Sequence, residues 1–493
     1  MNSTVEQASV SREQSSNVVY NAKLILHGNS INVENFADIY SPYGNKLIGK
    51  AEIANNEHIE YAIQKATEGF KIISSFSPRK RAEILENSTE LILQRTEELA
   101  KLISLEIGKP IKQAIQEIKR TVEILELTAE ETLRVNGEIT NLTRQEGNSN
   151  RFTITSYHPL GPILAITPFN FPAGTIAHKV GSAIAAGNSI ILKPSPSAQL
   201  ITYNLAKILL EAGLPEECLC LVNCSNSDAE KIVKDKRIKL INFTGSSKVG
   251  WNIRSLAHPG TKVILEMGGN SPVIIHEDAN LNKALTNCIR GSFAYSGQYC
   301  ISTQRIYLHS NVFDEFLRDF TEATKDLTLG DPLDADTDIG PMINEASTQR
   351  ISSWVDEAIA NGARLLTGGK ILENNLYSPT VITEVNSKMN ISCSEVFGPI
   401  VSFFKYDSIE KAIEEANDEV YGLSSGIFTQ NIDLALNTAK ELNTGSIMIN
   451  DSSAFRSDEG PICGLNQSAS GLEGPKYAIK EMSNLKVTCF NVG

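Results

Sequence analysis

The chain is short of basic residues. Its 493 residues include 45 lysines and arginines against 58 aspartates and glutamates, so the formal net charge is -13. Nucleic acids and anionic membranes bind basic surfaces, and neither is expected as a partner. The sequence also lacks an apolar run of about 18 residues, which a membrane-spanning helix needs. Residues 1–18 are polar and lack the apolar centre of a signal peptide, so we expect a flexible tail there.

The cysteines form no regular framework. There are eight, without a C-x-x-C pair, which is typical of reduced thiols in the cytoplasm, where we expect the protein. Cys218, Cys220 and Cys224 alternate with apolar residues and have no histidine nearby. We interpret them as part of a buried strand and expect no metal site. Histidine is scarce too, with seven in the chain and none beside Cys300, so a protease-type Cys–His pair has little support.

Length and composition predict a folded chain of more than one domain. Hydrophobic residues make up 41% and charged residues 21%, as in ordinary globular proteins, and 493 residues exceed what one core normally holds. Residues 56–134 have a helical pattern. Ser77 and Pro78 mark a helix start, and Gly108 with Pro110 marks a stop.

From residue 161 onward, short apolar strands alternate with helical segments. The predicted strands are 163–166, 189–193, 218–222, 239–243, 262–266, 272–276 and 305–309. Continuous apolar strands separated by helices are typical of a parallel sheet with both faces covered. We therefore predict an α/β fold with two doubly wound α/β units in tandem and a cleft between them.

Two motifs follow strands of the first unit. Residues 245–250 (GSSKVG) join a strand to a helix, where glycines allow close approach and the helix start offers N–H groups to a phosphate. A tight turn is the alternative, since neither a G-x-G-x-x-G fingerprint nor an NTPase loop is present. Lys193, in KPS at a neighbouring strand end, suits ribose hydroxyls or a phosphate, because ligands of open α/β sheets bind there.

Three residues have side chains suited to catalysis. Glu266 ends a strand before Met-Gly-Gly and is a candidate general base, a solvated or salt-bridged glutamate being the alternative. Asn170 lies between two prolines, where a rigid amide suits an oxyanion hole or simply caps a turn. Cys300, in GQYCIS, is a candidate nucleophile or one more packed thiol.

Taken in order, six motifs resemble those of the aldehyde dehydrogenase superfamily: PFNFP, KPS, FTGSSKVG, LEMGGNSP, SGQYC and SEVFGP. The likeness extends from about residue 20 to the C-terminus. The stretches HPLGPILAITPFNFP and GLEGPKYAIKEMS are most similar to the lactaldehyde and non-phosphorylating glyceraldehyde-3-phosphate dehydrogenase group. The resemblance implies NAD(P)-dependent oxidation of a small-molecule aldehyde to a carboxylic acid, by a homodimer or homotetramer.

The resemblance also implies roles for single residues. Cys300 forms a thiohemiacetal and then a thioester, Asn170 and the Cys300 N–H hold the oxyanion, and Glu266 activates the hydrolytic water. The cofactor-binding residues implied are Thr167, Pro168, Lys193, Ser195, Gly245, Ser246, Gly250, Glu395 and Phe397. Two alternatives stay open: a CoA-acylating enzyme, against which Glu266 argues, and a catalytically silent binding or structural relative.

The same resemblance divides the chain. A Rossmann-like cofactor-binding domain takes residues 19–137 and 158–267, and a catalytic domain takes residues 268–460. The strand-like segments 138–157 and 484–493 form a small β oligomerisation element, because an exposed strand edge readily pairs with another chain.

Two stretches depart from the family pattern. Many NAD-preferring relatives have glutamate directly after KPS, but Pro196 stands here. Without that carboxylate a 2′-phosphate meets less repulsion, so we expect NADP to be accepted. In residues 461–471, Cys463 and Asn466 replace a glycine and a lysine. We expect the added side chain to narrow or reshape the channel, a packed thiol being the alternative.

The substrate is less well specified. The candidate substrate residues are Arg290, Ile301, Phe455 and Arg456. An arginine would bind the carboxylate or phosphate of an anionic aldehyde, although a surface ion pair is the commoner role. Relatives that take small anionic aldehydes often carry an arginine where this chain has Ile115, which leaves the substrate charge open.

Overall fold

The computed structural model describes residues 20–27, 33–148 and 150–492, so the tail expected at residues 1–18 lies outside the described residues. The strands are β1 (Tyr20–Ala22), β2 (Asn35–Tyr40), β3 (Leu47–Ile53), β4 (Ile139–Asn141), β5 (Arg151–Pro159), β6 (Ile163–Ile166), β7 (Ile190–Lys193), β8 (Leu219–Leu221), β9 (Leu240–Thr244), β10 (Lys262–Glu266), β11 (Ser271–Ile275), β12 (Thr303–His309), β13 (Arg364–Thr367), β14 (Thr380–Thr383), β15 (Ile400–Tyr406), β16 (Ser424–Phe428), β17 (Ser446–Ile449), β18 (Ala469–Ser470) and β19 (Ser483–Asn491).

The α-helices are α1 (Asn56–Ile73), α2 (Pro78–Gln94), α3 (Thr96–Ile107), α4 (Ile111–Arg134), α5 (Pro172–Ile176), α6 (Ser182–Ala186), α7 (Gln199–Glu211), α8 (Asn226–Lys234), α9 (Ser247–Leu256), α10 (Leu281–Phe293), α11 (Phe313–Lys325), α12 (Glu345–Ala360), α13 (Asn390–Cys393), α14 (Ile409–Asn417), α15 (Ile432–Glu441) and α16 (Pro475–Glu481). A π-helical turn (Ala177–Gly181) joins α5 to α6. In the described ranges, every helix is too short or too polar to cross a membrane.

The helical segment 56–134 divides into α1 to α4. Ser77 caps α2 as predicted: its side chain accepts the Lys80 N–H, and proline occupies the first turn. The sequence pattern indicated one helix from there to Gly108, but the backbone breaks at Arg95 (φ -113°, ψ 17°). α3 then ends at Gly108, whose φ of 73° is left-handed. The predicted stop is therefore confirmed, and the break was missed because it has no proline or glycine.

A six-stranded sheet holds the first α/β unit, in the order β18-β10-β9-β6-β7-β8. β10, β9, β6, β7 and β8 run parallel, and the two-residue β18 pairs antiparallel to β10. Alternate residues of each strand enter two hydrophobic cores on opposite faces; for example, Ile163 faces one core and Leu164 the other. Both faces are covered, which confirms the predicted doubly wound arrangement.

A seven-stranded sheet holds the second unit, in the order β13-β14-β15-β12-β11-β16-β17. All its pairs are parallel except β13 with β14. Two small sheets complete the described fold. The order β1-β3-β2 near the N-terminus was not predicted, whereas β19-β5-β4 comprises the two segments that were expected to be strand-like. How these sheets divide into domains stays a prediction.

The topology brings particular chain ends together. β6, β7, β9 and β10 end at Ile166, Lys193, Thr244 and Glu266, whereas the loops that carry Cys300 and Glu395 lead into the starts of β12 and β15. The carboxyl ends of one parallel sheet therefore share a cleft with the amino ends of two strands of the other. Ligands of doubly wound sheets bind at such carboxyl ends.

Candidate active site

A cavity of about 680 Å³ occupies this cleft. Most of the residues predicted from sequence line it: Thr167, Pro168, Asn170, Lys193, Ser195, Gly245, Ser246, Glu266, Cys300, Ile301, Glu395, Phe397 and Arg456. Three others lie elsewhere. Gly250 packs in α9 against Met267, Arg290 is exposed on α10, and Phe455 is 53% exposed. The structure thus joins the candidate nucleophile, base and amide, but only part of the candidate substrate set.

The loop before Cys300 is held in an unusual backbone conformation. Tyr295, Ser296 and Gly297 have left-handed φ values of 45°, 55° and 64°. The Ser296 hydroxyl donates to the Gly340 carbonyl over 2.7 Å. A Cβ at position 297 would come within 2.2 Å of the Gly398 carbonyl, so only glycine fits beside the neighbouring loop. Strained backbone of this kind concentrates at functional sites, where the surroundings fix one conformation.

The Cys300 thiol is protonated at neutral pH in this environment. Burial raises its pKa to about 11, and the Arg456 guanidinium counters part of that effect. The carboxyl groups of Glu395 and Glu266 act with burial to disfavour the thiolate. A nucleophilic cysteine needs its thiolate form, so the protein alone leaves Cys300 poorly activated.

Asn170 is buried and lies close to the nucleophile loop. Its side-chain Nδ2 donates to the Gln298 carbonyl over 3.0 Å, two residues before Cys300. Its own backbone carbonyl accepts a bond from the Lys109 ammonium over 2.7 Å. A side-chain amide has two N–H groups, so one stays available after the bond to Gln298.

Glu266 is a buried carboxyl whose Oε1 has no hydrogen-bond partner among the described residues. Burial raises its pKa to about 8, and the negative charge of Glu473 acts in the same direction. Burial works to raise the pKa of Glu473 as well, but its basic neighbours, of which Lys179 acts most strongly, together outweigh burial and the pKa is lowered. Glu473 is therefore the ionised member of the pair, and Glu266 is the one poised to exchange a proton near neutral pH.

Lys179 and Glu473 were not found from sequence. Lys179 lies on the π-helical turn, 0% exposed in its side chain, and Glu473 comes from the C-terminal segment. Their sequence separation of 294 residues explains the omission. The one available signal was a lysine in a largely apolar helical segment (AHKVGSAIAA), since lysine is rarely buried unless it is paired.

A second polar group lies where α4 borders the cavity. Arg120 binds the Asp458 carboxylate through two hydrogen bonds of 2.6 and 2.8 Å, and His178 Nε2 lies 3.1 Å from the same carboxylate. Burial lowers the pKa of His178, so its imidazole is neutral. Beside this group, the Arg456 Nε is buried without a partner in the part of the chain that the structure describes.

Arg120 was not predicted from the sequence, although it lies on the same helix as Ile115. Ile115 packs against the hydrophobic core, whereas Glu117, Arg120 and Ile124 line the cavity. Their spacing of three and four residues places them on one face of α4. The helix thus supplies an arginine to the cavity from position 120.

One arm of the cavity lies at the ends of β7 and β9, and this arm fits a dinucleotide. Lys193, Ser195 and Ser246 line it. Among the described residues no side-chain hydrogen bond caps α9 at Ser246, so the first N–H groups of that helix are open to a phosphate. Burial lowers the pKa of Lys193, whose Nζ has the Pro194 carbonyl as its hydrogen-bond partner. These donors suit ribose hydroxyls and phosphates.

Glu395 and Phe397 lie between this arm and Cys300. Glu395 accepts the Gly269 N–H over 3.2 Å, and burial raises the pKa of its carboxyl to about 7. A Cβ at position 268 would lie 2.2 Å from that carboxylate, so a side chain there would force the Glu395 carboxylate to shift. The Phe397 ring packs edge-on against Phe169 at 5.9 Å, which joins the loops of the two sheets.

Cys463 was expected to narrow or reshape the channel. It is absent from the residues that line the cavity, and its thiol donates to the Gly445 carbonyl over 3.1 Å. Cys463 thus adds no side chain to the cavity lining, and its effect on the shape of the channel stays a prediction. The alternative of a packed thiol fits the structure, because the loop turns the side chain toward the backbone of residue 445.

Known proteins resemble this chain in sequence and in structure. The model of the aldehyde dehydrogenase family matches residues 30–488. A 3-sulfolactaldehyde dehydrogenase of Priestia megaterium is 38% identical over 92% of this chain and 95% of its own.

Two solved structures are similar over almost the whole chain. Aldehyde dehydrogenase 21 of Physcomitrella patens, in complex with the reaction product succinate, has a TM-score of 0.93 and 35% identity, covering 97% of this chain and 99% of that one. Glyceraldehyde-3-phosphate dehydrogenase GapN of Methanocaldococcus jannaschii, complexed with NADP, has a TM-score of 0.89 and 37% identity, covering 94% and 100%. The chain therefore belongs to the aldehyde dehydrogenase family and is an NAD(P)-dependent aldehyde dehydrogenase.

Proposed function

We propose that Cys300, Glu266 and Asn170 carry the reaction in this chain. The fraction of Cys300 that has lost its thiol proton to solvent adds as a thiolate to the aldehyde carbon and forms a thiohemiacetal, while the Asn170 amide and the Cys300 N–H donate to the oxyanion. Lys193 and Ser246 would hold NAD(P), which would supply the hydride acceptor needed to oxidise the thiohemiacetal to a thioester on Cys300. Glu266 then takes a proton from water, the hydroxide attacks the thioester carbon, and the thiolate leaves as the carboxylic acid forms.

The observation that carries this assignment is the cavity itself. It joins a strained nucleophile loop, a buried amide and a carboxyl of raised pKa within one enclosure, although their positions in sequence lie far apart. A pKa of about 8 suits a base that must gain and lose a proton near neutral pH.

For the substrate we propose a small aldehyde that bears an acidic group. Arg456 lines the cavity, has a buried and unpartnered Nε among the described residues, and exerts the largest favourable charge effect on the pKa of Cys300. Arg120, in contrast, already has Asp458 as its counter-ion. Arg456 is thus the better anchor for a carboxylate, sulfonate or phosphate. The compounds in the names of the three compared proteins each carry one of these groups.

For the cofactor we propose that NADP is accepted, and the basis is Pro196. This residue is exposed at the turn after Lys193, beside Ser195, and it brings no carboxylate to that side of the cavity. Lys193 and Ser195 stay available to a 2′-phosphate.

The experiment that tests the function is a panel of aldehydes with each cofactor. We expect NAD(P)H formation and an equimolar carboxylic acid without CoA, and loss of both in a Cys300→Ala variant. Acyl-CoA formation with no free acid would identify the CoA-acylating type. No cofactor reduction with any aldehyde, despite native folding, would favour a silent binding relative.

A further inference from the structure

Lys109 is a buried ammonium outside the residues assigned to the reaction. It lies in the turn between α3 and α4, and its side chain is 1% exposed. Its Nζ forms an ion pair with Glu117, whose side chain is equally buried. Removing two charges from water is costly in free energy, so such a pair is weak evidence of a purely stabilising role.

The pair contacts the segment that carries Asn170 at two points. The Lys109 Nζ donates to the Asn170 carbonyl over 2.7 Å, and the Glu117 Oε1 accepts the Ala173 N–H over 2.9 Å. Between these points, the ammonium lies 3.7 Å from the centre of the Phe171 ring, a favourable cation–π distance. Residues 170–173 are therefore held by charged groups on α4 and its preceding turn.

The same ammonium contacts the nucleophile loop. It lies 4.7 Å from the centre of the Tyr295 ring, where the left-handed stretch begins. On the other side, the Asn170 Nδ2 bonds to the Gln298 carbonyl. Lys109 thus links the two loops whose relative position sets the distance from the Asn170 amide to Cys300.

We propose that Lys109, paired with Glu117, is a positioning residue that fixes the Asn170 amide for oxyanion stabilisation. This inference rests on the role proposed above for Asn170. Donors stabilise a developing charge best when they are fixed before it forms. A backbone held at residues 170 and 173 leaves the side chain between them little freedom to turn away.

The test compares variants in which the charged pair is replaced as a unit. Lys109→Met alone would leave a lone buried carboxylate and endanger folding, so the variant is Lys109→Met/Glu117→Gln, in which the glutamine oxygen still accepts the Ala173 N–H. A matched control is Lys112→Met/Asp338→Asn, which removes a more exposed ion pair between the same helix and the loop before α12. Both are made in the wild-type and in the Asn170→Ala background.

We expect the buried-pair variant to lose about 10- to 100-fold in kcat/KM for aldehyde, through kcat rather than KM, as a displaced oxyanion donor would. In the Asn170→Ala background it should lose no more than about twofold, because residues that act as one unit are not additive. Alkylation of Cys300 by iodoacetamide, followed by mass spectrometry, should keep its rate, because that reaction builds no charge on a carbonyl oxygen. The exposed-pair control should retain wild-type kcat/KM.

Each of the other outcomes would contradict either the positioning role of Lys109 or the oxyanion role of Asn170. If the loss recurs in full in the Asn170→Ala background, or if alkylation slows in parallel, Lys109 supports the fold generally and the inference is overturned. No loss in the wild-type background overturns it as well. If Asn170→Ala itself has wild-type kcat/KM, the proposed role of Asn170 fails and the inference falls with it, which separates the two failures.

Discussion

Glu266 and Glu473 are two buried carboxyl groups whose charges are linked. Burial raises the pKa of Glu266 to about 8, and the ionised Glu473 contributes to the shift. As a general base Glu266 works in its deprotonated form, so hydrolysis of the thioester should accelerate as the pH rises through about 8. Glu473→Gln removes a neighbouring negative charge and leaves the Lys179 ammonium unpaired. Both changes favour ionised Glu266, so the rise should move to lower pH.

The measurement is the pH profile of thioester hydrolysis in single turnovers. The matched control is Glu459→Gln, an exposed glutamate in the same C-terminal segment, which should keep the wild-type profile. A profile that stays in place or moves to higher pH in Glu473→Gln would contradict the linkage. Glu266→Gln should lose the pH-dependent rise altogether.

Arg456 can be tested with two aldehydes that differ only in charge. Succinic semialdehyde carries a carboxylate where butanal carries a methyl group. Arg456→Met should lower kcat/KM for the charged aldehyde about 10- to 100-fold more than for butanal, because a hydrogen bond to a charged group contributes about 1.5–3 kcal/mol. Any effect of the substitution on the Cys300 pKa acts on both substrates, so it cancels in the ratio of their kcat/KM values.

Arg290→Met is the control for this experiment, since Arg290 was an equal candidate in the sequence but lies exposed and outside the cavity lining. It should leave the ratio unchanged. An unchanged ratio in Arg456→Met, or a changed one in Arg290→Met, would remove the support for Arg456 as the anion anchor.

At the scale of single elements, the strands between residues 161 and 309 were predictable. β6, for example, was predicted to the residue, because a buried parallel strand is a continuous apolar run bounded by turn residues. β1, β2 and β3 were missed, since their mixed burial gives no such run. The motif residues of the site were predicted through their order along the chain. Lys179, Asp458 and Glu473 were not, because their meaning depends on contacts with elements distant in sequence, which periodicity does not encode.

The turn after β7 tests the cofactor proposal. Pro196→Glu restores the carboxylate that many NAD-preferring relatives have at this point, and the exposed turn should tolerate it. The ratio of kcat/KM for NADP to that for NAD should fall about tenfold or more, since a like charge beside the 2′-phosphate is repulsive. Pro196→Gln has the same shape without the charge, so it should change the ratio little. If the ratio of kcat/KM for NADP to that for NAD were the same in Pro196→Glu and Pro196→Gln, the charge at this turn would not select the cofactor.

At the scale of the whole molecule, the sheet β19-β5-β4 has features of an interface. β19 pairs with β5 over nine residues, and its other edge is unpaired within the described chain. Leu485 and Val487, on one face of β19, are 55% and 63% exposed. Long exposed edges with apolar side chains invite pairing with another chain. We propose that a second copy of this chain covers β19, as expected for a homodimer or homotetramer.

A double substitution on β19 tests this proposal. Leu485→Lys/Val487→Lys places two cations where the copies would meet, and burying unpaired charge in an interface is strongly unfavourable. The molar mass from light scattering should therefore fall from a multiple of 53.8 kDa to the single-chain value. Phe36→Lys is the control, because Phe36 is 59% exposed on the separate sheet β1-β3-β2 and should leave the mass unchanged. If the wild-type protein has the single-chain mass, no such interface exists. If the β19 variant keeps the same multiple of that mass, the interface lies elsewhere.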